Sequence, residues 1–401
     1  MPEHVRKYVI IGGGLAGASA VEGIREIDSR GSIAVIASEQ FLPYNRPPLT
    51  KKLWFGKQTV EDIWVYGSGF YFNHGVDLML GIEAVKVEPT SKVVRASNGD
   101  TFRYEKLLLA TGGIPRMLPI EGGDLDGIYY YRYLKDYESL HAEATAGKSA
   151  IVIGGGFIGS EIAAALRINS VNVTIIFPDP YLCSRVFPEA LGKAVQDDFM
   201  QRGVRVLAGE SVESIKKDGS HFIAHTNQGH DIKSDILIAG IGIKPGTALA
   251  EEAGLRTDNG VLVNEFLQSS HPGIYSAGDC AAFPYKALGF VTRVEHWDNA
   301  LNQGKQAGRN MAGAGEAYTY MPYFYSDLFD FGYEAVGEVD SRLETYADWQ
   351  DENKTGVIYY LRDERIRGAM MCNVWDQVPA ARELILAGKK VSKTELQGAI
   401  S

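Results

Sequence analysis

The stretch KYVIIGGGLAGASAVEGIREI, residues 7–27, decides the fold, and SAIVIGGGFIGSEIAAALRIN, residues 149–169, repeats it. In each, a run rich in β-branched residues gives way to glycines and then to apolar residues at helical spacing. These are Ala16, Ala20, Ile24 and Ile27 in the first copy, and Ile158, Ile162 and Leu166 in the second. Each copy predicts a strand, a tight turn and a helix. A second strand is predicted after each helix, IAVIA from Ile33 and VTIIF from Val173. Two βαβ units follow, and such units require parallel sheet and right-handed crossovers. The expected class is α/β, with a pair of Rossmann-type nucleotide-binding domains.

The turns carry the chemistry. Gly12, Gly14 and Gly17 follow the strand Tyr8 to Ile11, and Glu39 ends the next strand. Gly154, Gly156 and Gly159 are followed in the same way by Asp179. Glycines at this spacing allow a tight turn and close approach of a pyrophosphate to a helix N-terminus, and an acidic side chain about 20 residues on accepts hydrogen bonds from a ribose. Two fingerprints predict two bound nucleotides. Asp179 favours an unphosphorylated ribose, so NADH is preferred over NADPH, while the nearby Arg185 keeps NADPH open. Glycine is the compositional outlier, 45 of 401 residues against an average of about 7%, and these turns account for part of the excess.

The 40 basic and 50 acidic residues leave a net charge of −10, which offers no basic surface for a phosphate backbone and argues against nucleic acid as a partner. The three cysteines, Cys183, Cys280 and Cys372, are widely spaced and give neither a disulfide framework nor a CxxC pair. Apart from His296, the seven histidines show no ligand spacing, so no metal site is expected. No apolar run reaches transmembrane length and MPEHVRK carries no signal-peptide h-region, which makes the cytoplasm the expected location.

Further strands are predicted at LLLA from Leu107, ILIAGI from Ile236 and GIYSAGD from Gly273. The first and last flank the second βαβ unit, which suits a nucleotide domain inserted into a discontinuous first one. The expected boundaries are 1–122 and 242–318 for the two parts of the first domain, 123–241 for the second, and 319–401 for a small α+β domain. In the last, alternation in YFYSDLFDFGYEAVGEV and GVIYYLRDERIRGAMMCN predicts antiparallel strands with a hairpin turn at Asp363 to Arg365, closed by a helix near Ala380 to Leu386.

The paired fingerprints, LLLATGG from Leu107 and IYSAGDCA from Ile274 resemble the FAD-dependent pyridine nucleotide reductases of the glutathione reductase structural group. RPPLTKKLW from Arg46, GGGFIGSEIA from Gly154, RVEHWDNA from Arg293, YSDLFDFGYEAVG from Tyr325 and GVIYYLRD from Gly356 resemble, more closely, the apoptosis-inducing factors and their microbial relatives, with oxygenase-coupled ferredoxin reductases next. The resemblance implies that residues 1–122 and 242–318 bind FAD and residues 123–241 bind NAD. FAD would be held by Gly12, Gly14, Gly17 and Glu39, with Arg46 and Lys51 facing the pyrophosphate and isoalloxazine. Thr111 and Gly112 of LLLATGG and Asp279 of the GD pair would be further contacts. Glu295 and His296, at the start of a helix predicted to run to about Met311, would neighbour the flavin; a helix N-terminus stabilises negative charge there.

For NAD, the resemblance implies Gly154, Gly156, Gly159, Asp179 and Gly242. It places Glu161 beside the nicotinamide, paired with Lys51 as the catalytic couple, and Phe157 over the nicotinamide or shielding the flavin. Tyr325 stands where animal relatives carry Trp, and Glu334 is a candidate contact of the carboxamide.

Relatives that reduce disulfides carry a cysteine pair shortly after the first βαβ unit, where this chain reads SEQFLPYNRPPLTKKLW. With no thiol there, electrons must leave the reduced flavin for an outside acceptor: an iron–sulfur protein, a quinone or small oxidant, or oxygen. The expected function is an apoptosis-inducing-factor-like oxidoreductase taking hydride from NADH. A ferredoxin or rubredoxin reductase of an oxygenase system is the enzymatic alternative. An NADH-responsive redox-sensing interaction protein, in which a homodimer would have a part, is the alternative of another class.

Overall fold

A computed structural model describes residues 2–400. Its contacts divide the chain into two compact units. The first holds the residues up to Asn45, Val60–Ile114 and Lys244–Pro322; the second holds Arg46–Thr59, Pro115–Ile243 and the residues from Tyr323 on.

In the first unit, strand Glu3–Ile11 lies parallel between Ile33–Ala37 and Thr101–Leu109, with Tyr8 opposite Ile33 and Ile11 opposite Leu109. Val76–Leu80 extends one side, Ile274–Ser276 pairs with Thr101–Leu109, and the antiparallel strands Val93–Ala96 and Ala84–Glu88 complete the sheet. All of Ile33–Ala37 is buried, the pattern of a central parallel strand covered on both faces. The first strand begins earlier than the expected Tyr8. Residues Glu3 to Arg6 also pair, with Thr101 to Tyr104, and the lack of any buried apolar residue among them hid that pairing from a reading based on hydrophobicity.

Helix Leu15–Ile27 packs on helix Trp297–Met311 with almost no side chain between them. A Cβ built on Gly304 would meet the Ala16 carbonyl oxygen at 2.3 Å, and one on Gly308 the Ala20 oxygen at 2.1 Å. These glycines serve helix contact rather than turns.

In the second unit, a parallel sheet runs in the order Arg205–Ala208, Asn172–Phe177, Ser149–Ile153, Ile236–Ala239, Ile128–Tyr129. An antiparallel three-stranded sheet, Val212–Asp218, His221–Thr226 and Asp231–Ser234, shares its core through Ile215, Phe222, Ala224 and Ile232 packed with Ile151, Ile153 and Leu237. The C-terminal region forms a five-stranded antiparallel sheet in the order Tyr323–Leu328, Phe331–Gly337, Arg365–Cys372, Thr355–Arg362, Glu344–Asp351. Asp363 and Glu364 both take positive φ, 53° and 60°, the demand of a two-residue hairpin turn. Helix Val378–Ala387 packs on this sheet.

Two features differ from the expected domain map. The C-terminal sheet clusters with the second nucleotide domain, where the buried Phe187 ring packs edge-on against Tyr333 and the Tyr360 hydroxyl donates to the Val186 carbonyl. Arg46–Thr59, expected within residues 1–122, belongs to the second unit as well. The Trp54 indole N–H donates to the Leu49 carbonyl, the Tyr131 hydroxyl donates to that same oxygen, and Asn169 Nδ2 donates to the Trp54 carbonyl. Aromatic and amide anchors distant in sequence therefore hold this segment.

Candidate active site

The first unit presents a dinucleotide cradle. Gly12 takes φ 127°, and a Cβ there would lie 2.1 Å from the Ala110 carbonyl oxygen; one on Gly17 would lie 2.0 Å from the Gly12 oxygen. Gly14, the N-cap of helix Leu15–Ile27, differs: no atom of the protein lies within 4 Å of a Cβ placed there. Two glycines are thus required by packing and one leaves space above a helix N-terminus, where a pyrophosphate fits. Glu39 follows strand Ile33–Ala37 and accepts the Tyr44 hydroxyl at 2.6 Å.

Thr111 Oγ1 donates to the Gly246 carbonyl at 2.6 Å, Gly112 takes φ 66°, and the Gly278 N–H donates to Gln303 Oε1 at 2.8 Å. The Asp279 carbonyl accepts Arg293, whose guanidinium also pairs with Glu295 at 2.5 Å. His296 is the N-cap of Trp297–Met311. The residue is half-buried but its Nδ1 is shut off from solvent, and burial holds the imidazole down at about 4, opposed by the charge of Asp279. Cys280 is fully buried with its thiol directed to the Leu109 carbonyl, a packing role.

The second unit repeats the cradle. Gly154 takes φ 117°, and a Cβ there would lie 2.4 Å from the Gly240 oxygen; one on Gly159 would lie 1.9 Å from the Gly154 oxygen, while one on Gly156, the N-cap of helix Phe157–Ile168, would again have nothing within 4 Å. Gly242 takes φ 92°, and a Cβ there would have nothing within 4 Å. Asp179, beyond strand Asn172–Phe177, is exposed and available to a ribose.

Helix Phe157–Ile168 also carries Glu161, which points inward and is 4% exposed. Lys51, 5% exposed, reaches it at 2.7 Å between Nζ and Oε1. Ser326 Oγ donates to the same oxygen, and Thr50 Oγ1 donates to Oε2, each at 2.5 Å. The Lys51 ammonium sits 5.5 Å from the centre of the Tyr325 ring, within cation–π range. Burial pushes the Tyr325 phenol up to about 12 and raises the neighbouring Asp327 carboxyl, with Lys51 opposing. Phe157 packs at 5.4 Å from Phe324. Glu334 pairs across the ladder with Tyr325. Its carboxyl is raised by burial, countered by the Asp376 N–H.

The structure therefore brings Lys51, Glu161 and Tyr325 together, with Phe157 on the helix of Glu161 and Glu334 on the strand paired with that of Tyr325. Lys51 and Glu161 form a buried pair rather than solvated charges. Arg46 and Lys51, expected beside FAD, belong to the second unit, where the Arg46 guanidinium lies over the Tyr133 ring at 5.2 Å and donates to the Arg132 carbonyl. Thr50 and Ser326 escaped the sequence reading, because nothing local marks a hydroxyl whose partner lies 111 or 165 residues away.

Among the described residues, no helix is long and apolar enough to cross a membrane, and no group of three or more His, Cys, Asp or Glu is disposed to hold a metal.

The profile of the pyridine nucleotide-disulphide oxidoreductases matches residues 6–304, and that of the mitochondrion-associated C-terminal region of apoptosis-inducing factor matches residues 307–355. The chain is 32% identical to apoptosis-inducing factor 1, mitochondrial, of Dictyostelium discoideum, over 98% of this chain and 81% of that one. It is 33% identical to the ferredoxin–NAD(+) reductase component of the anthranilate 1,2-dioxygenase system of Burkholderia cepacia, over 95% and 94%. Among solved structures, the covalent putidaredoxin reductase–putidaredoxin complex matches with a TM-score of 0.91 at 28% identity, over 98% of this chain and 95% of that one. The fold is that of two Rossmann-like nucleotide domains with a small C-terminal domain. The chain belongs to the pyridine nucleotide-disulphide oxidoreductase family, as an FAD-dependent NAD(P)H oxidoreductase that passes electrons to an external acceptor.

Proposed function

We propose that this oxidoreductase takes its hydride from NADH at the Lys51–Glu161 pair and delivers electrons singly to an iron–sulfur protein. The observation that carries the first half is that buried pair, held beside Tyr325 on the nucleotide-binding unit. A fixed ammonium–carboxylate couple beside an aromatic face can orient a nicotinamide ring, a contribution of position rather than of acid–base chemistry.

Roles follow for the other residues. The turns at Gly12, Gly14, Gly17 and at Gly154, Gly156, Gly159 bind the pyrophosphates of FAD and NADH. Glu39 and Asp179 hold the adenosine riboses, and Asp279 the ribityl chain. Thr111, Gly112, Glu295 and His296 complete the FAD site, with the N-terminus of helix Trp297–Met311 favouring negative charge at the pyrimidine end. Phe157 and Tyr325 cover the nicotinamide and exclude water, while Gly242 leaves room for the NAD backbone and Glu334 accepts from the carboxamide. FAD, when bound, supplies a two-electron acceptor for hydride that can release its electrons one at a time.

The acceptor reading is supported by the absence of cysteine in SEQFLPYNRPPLTKKLW and by the likeness to reductases whose names pair them with ferredoxin or putidaredoxin. Three free, buried cysteines suit a reducing compartment, and we place the protein in the cytoplasm. The match of residues 307–355 to the apoptosis-inducing factor C-terminal region favours a second reading, in which NADH reduction changes self-association.

The test is anaerobic reduction with NADH and with NADPH, followed by addition of a ferredoxin, a quinone or oxygen while flavin absorbance is followed. Faster reduction by NADH and fast reoxidation by the ferredoxin are expected. Reoxidation by quinone or oxygen alone would overturn the acceptor, and a long-lived reduced form that dimerises in light scattering would favour the second reading. Asp179→Ala is expected to narrow the preference for NADH about tenfold, since the ribose loses a charge-assisted acceptor. An unchanged ratio would remove Asp179 from the site.

A further inference from the structure

Glu161 accepts three donors, and they arrive from two segments far from its own helix. Lys51 and Ser326 share Oε1, and Thr50 takes Oε2. Thr50 ends the 3-10 turn Pro47–Thr50, directly before Lys51, and Ser326 lies in strand Tyr323–Leu328 of the C-terminal sheet. Both hydroxyl residues are nearly inaccessible, Thr50 at 4% and Ser326 at 1%. Tyr333, the ladder partner of Ser326, is itself fully buried and projects from the same face of the sheet.

The geometry determines what the hydroxyls add. An ammonium is a compact point charge that sets no direction at its acceptor. A carboxylate held only at Oε1 by Lys51 can still turn about its last torsion, which has a broad, nearly two-fold well. A donor on each oxygen fixes the carboxylate plane, and the plane then fixes where the ammonium rests. Thr50 completes the arrangement by placing its hydroxyl and the Lys51 side chain on one carboxylate from adjacent residues.

We propose that Thr50 and Ser326 are positioning residues for hydride transfer, acting through Glu161 on the Lys51 ammonium and linking the C-terminal sheet to the nicotinamide site. The proposal rests on the reading of Lys51–Glu161 as the nicotinamide couple. It adds no chemical step.

The experiment uses the FAD-loaded protein, the four single variants Lys51→Ala, Thr50→Val, Thr50→Ser and Ser326→Ala, and the two double variants that combine Lys51→Ala with Thr50→Val or with Ser326→Ala. Stopped-flow reduction by NADH gives the limiting rate and the dissociation constant separately, and calorimetry gives the affinity for NAD+ independently of turnover. Melting temperature and flavin content verify folding. Thr50→Val and Ser326→Ala are each expected to lower the limiting rate about tenfold, in keeping with the loss of one hydrogen bond to a charged group and a small misplacement at the reacting centre. NAD+ affinity should change less than about twofold by the same argument, since the loss falls on orientation. Thr50→Ser should recover the rate.

Neither Thr50→Val nor Ser326→Ala should slow Lys51→Ala further, because residues acting through one group are not additive. If Lys51→Ala is slow while Thr50→Val and Ser326→Ala reduce at the wild-type rate, the proposal is overturned and the reading of Lys51 stands. The proposal is overturned in the same way if either variant slows Lys51→Ala by its full factor, since its effect is then merely structural. If Lys51→Ala itself reduces at the wild-type rate, reading and proposal fall together.

Discussion

Tyr325 and Glu334 are direct partners across the antiparallel pairing of strands Tyr323–Leu328 and Phe331–Gly337, so their side chains leave the sheet on one face. The aromatic ring proposed to cover the nicotinamide and the acceptor proposed for its carboxamide are thereby held at a fixed spacing by backbone hydrogen bonds. The spacing is a property of the hairpin and not of either side chain.

Glu334 bears a cost for this position. Its carboxyl is raised by burial, and a carboxyl with a folded pKa above its unfolded one weakens the fold at pH above the raised value; the loss vanishes below the unfolded value. Glu334→Gln is therefore expected to raise the melting temperature at pH 8, on the order of 2 °C, and to leave it unchanged below pH 4. The same variant should weaken NAD+ binding severalfold in calorimetry. Thermal scans at the two pH values check the first half, and an equal shift at both would refute the assigned cause.

The glycines of each cradle predict opposite failures. Gly17→Ala drives a methyl into the Gly12 carbonyl, and Gly159→Ala into that of Gly154, so both should fold poorly. Gly14→Ala and Gly156→Ala meet no protein atom and should melt like the wild type as apoprotein. Gly14→Ala should nevertheless lose FAD, and Gly156→Ala should keep FAD but bind NADH at least tenfold more weakly, by blocking close approach of the pyrophosphate. Flavin content and NADH titration separate these outcomes; a Gly14→Ala protein that retains FAD would refute the cradle.

His296 gives a pH dependence of the other sign. Its folded pKa, about 4, lies below the ordinary 6.5. The unfolded chain takes up the proton first, so stability falls as pH drops from 6.5 toward 4. His296→Asn should flatten that part of the melting profile. A slope unchanged by the substitution would assign the acid sensitivity to another group.

Both cradles were legible in the sequence because their determinants are local: each glycine's contact is with a turn or strand within the same βαβ unit or the strand beside it. The Asp363–Glu364 hairpin was legible for the same reason. The partners of Lys51 were not, since a lysine in RPPLTKKLW carries no local mark of the carboxylate it will meet, and only the family resemblance pointed there. Ser326 and Thr50 lay beyond even that. The position of Arg46–Thr59 was hidden because its anchors, Tyr131, Tyr137 and Asn169, follow it in sequence by 77 residues or more.

The glycine contact between helices Leu15–Ile27 and Trp297–Met311 has an electrical consequence. Gly304 meets Ala16 and Gly308 meets Ala20, so the helices run in the same direction and their positive ends face the same way. Counting residues from those contacts back to the helix starts at Leu15 and Trp297 sets one end about 9 Å ahead of the other at 1.5 Å per residue. The first unit thus carries a rigid, staggered pair of positive poles. An anion that reaches both must span at least that stagger.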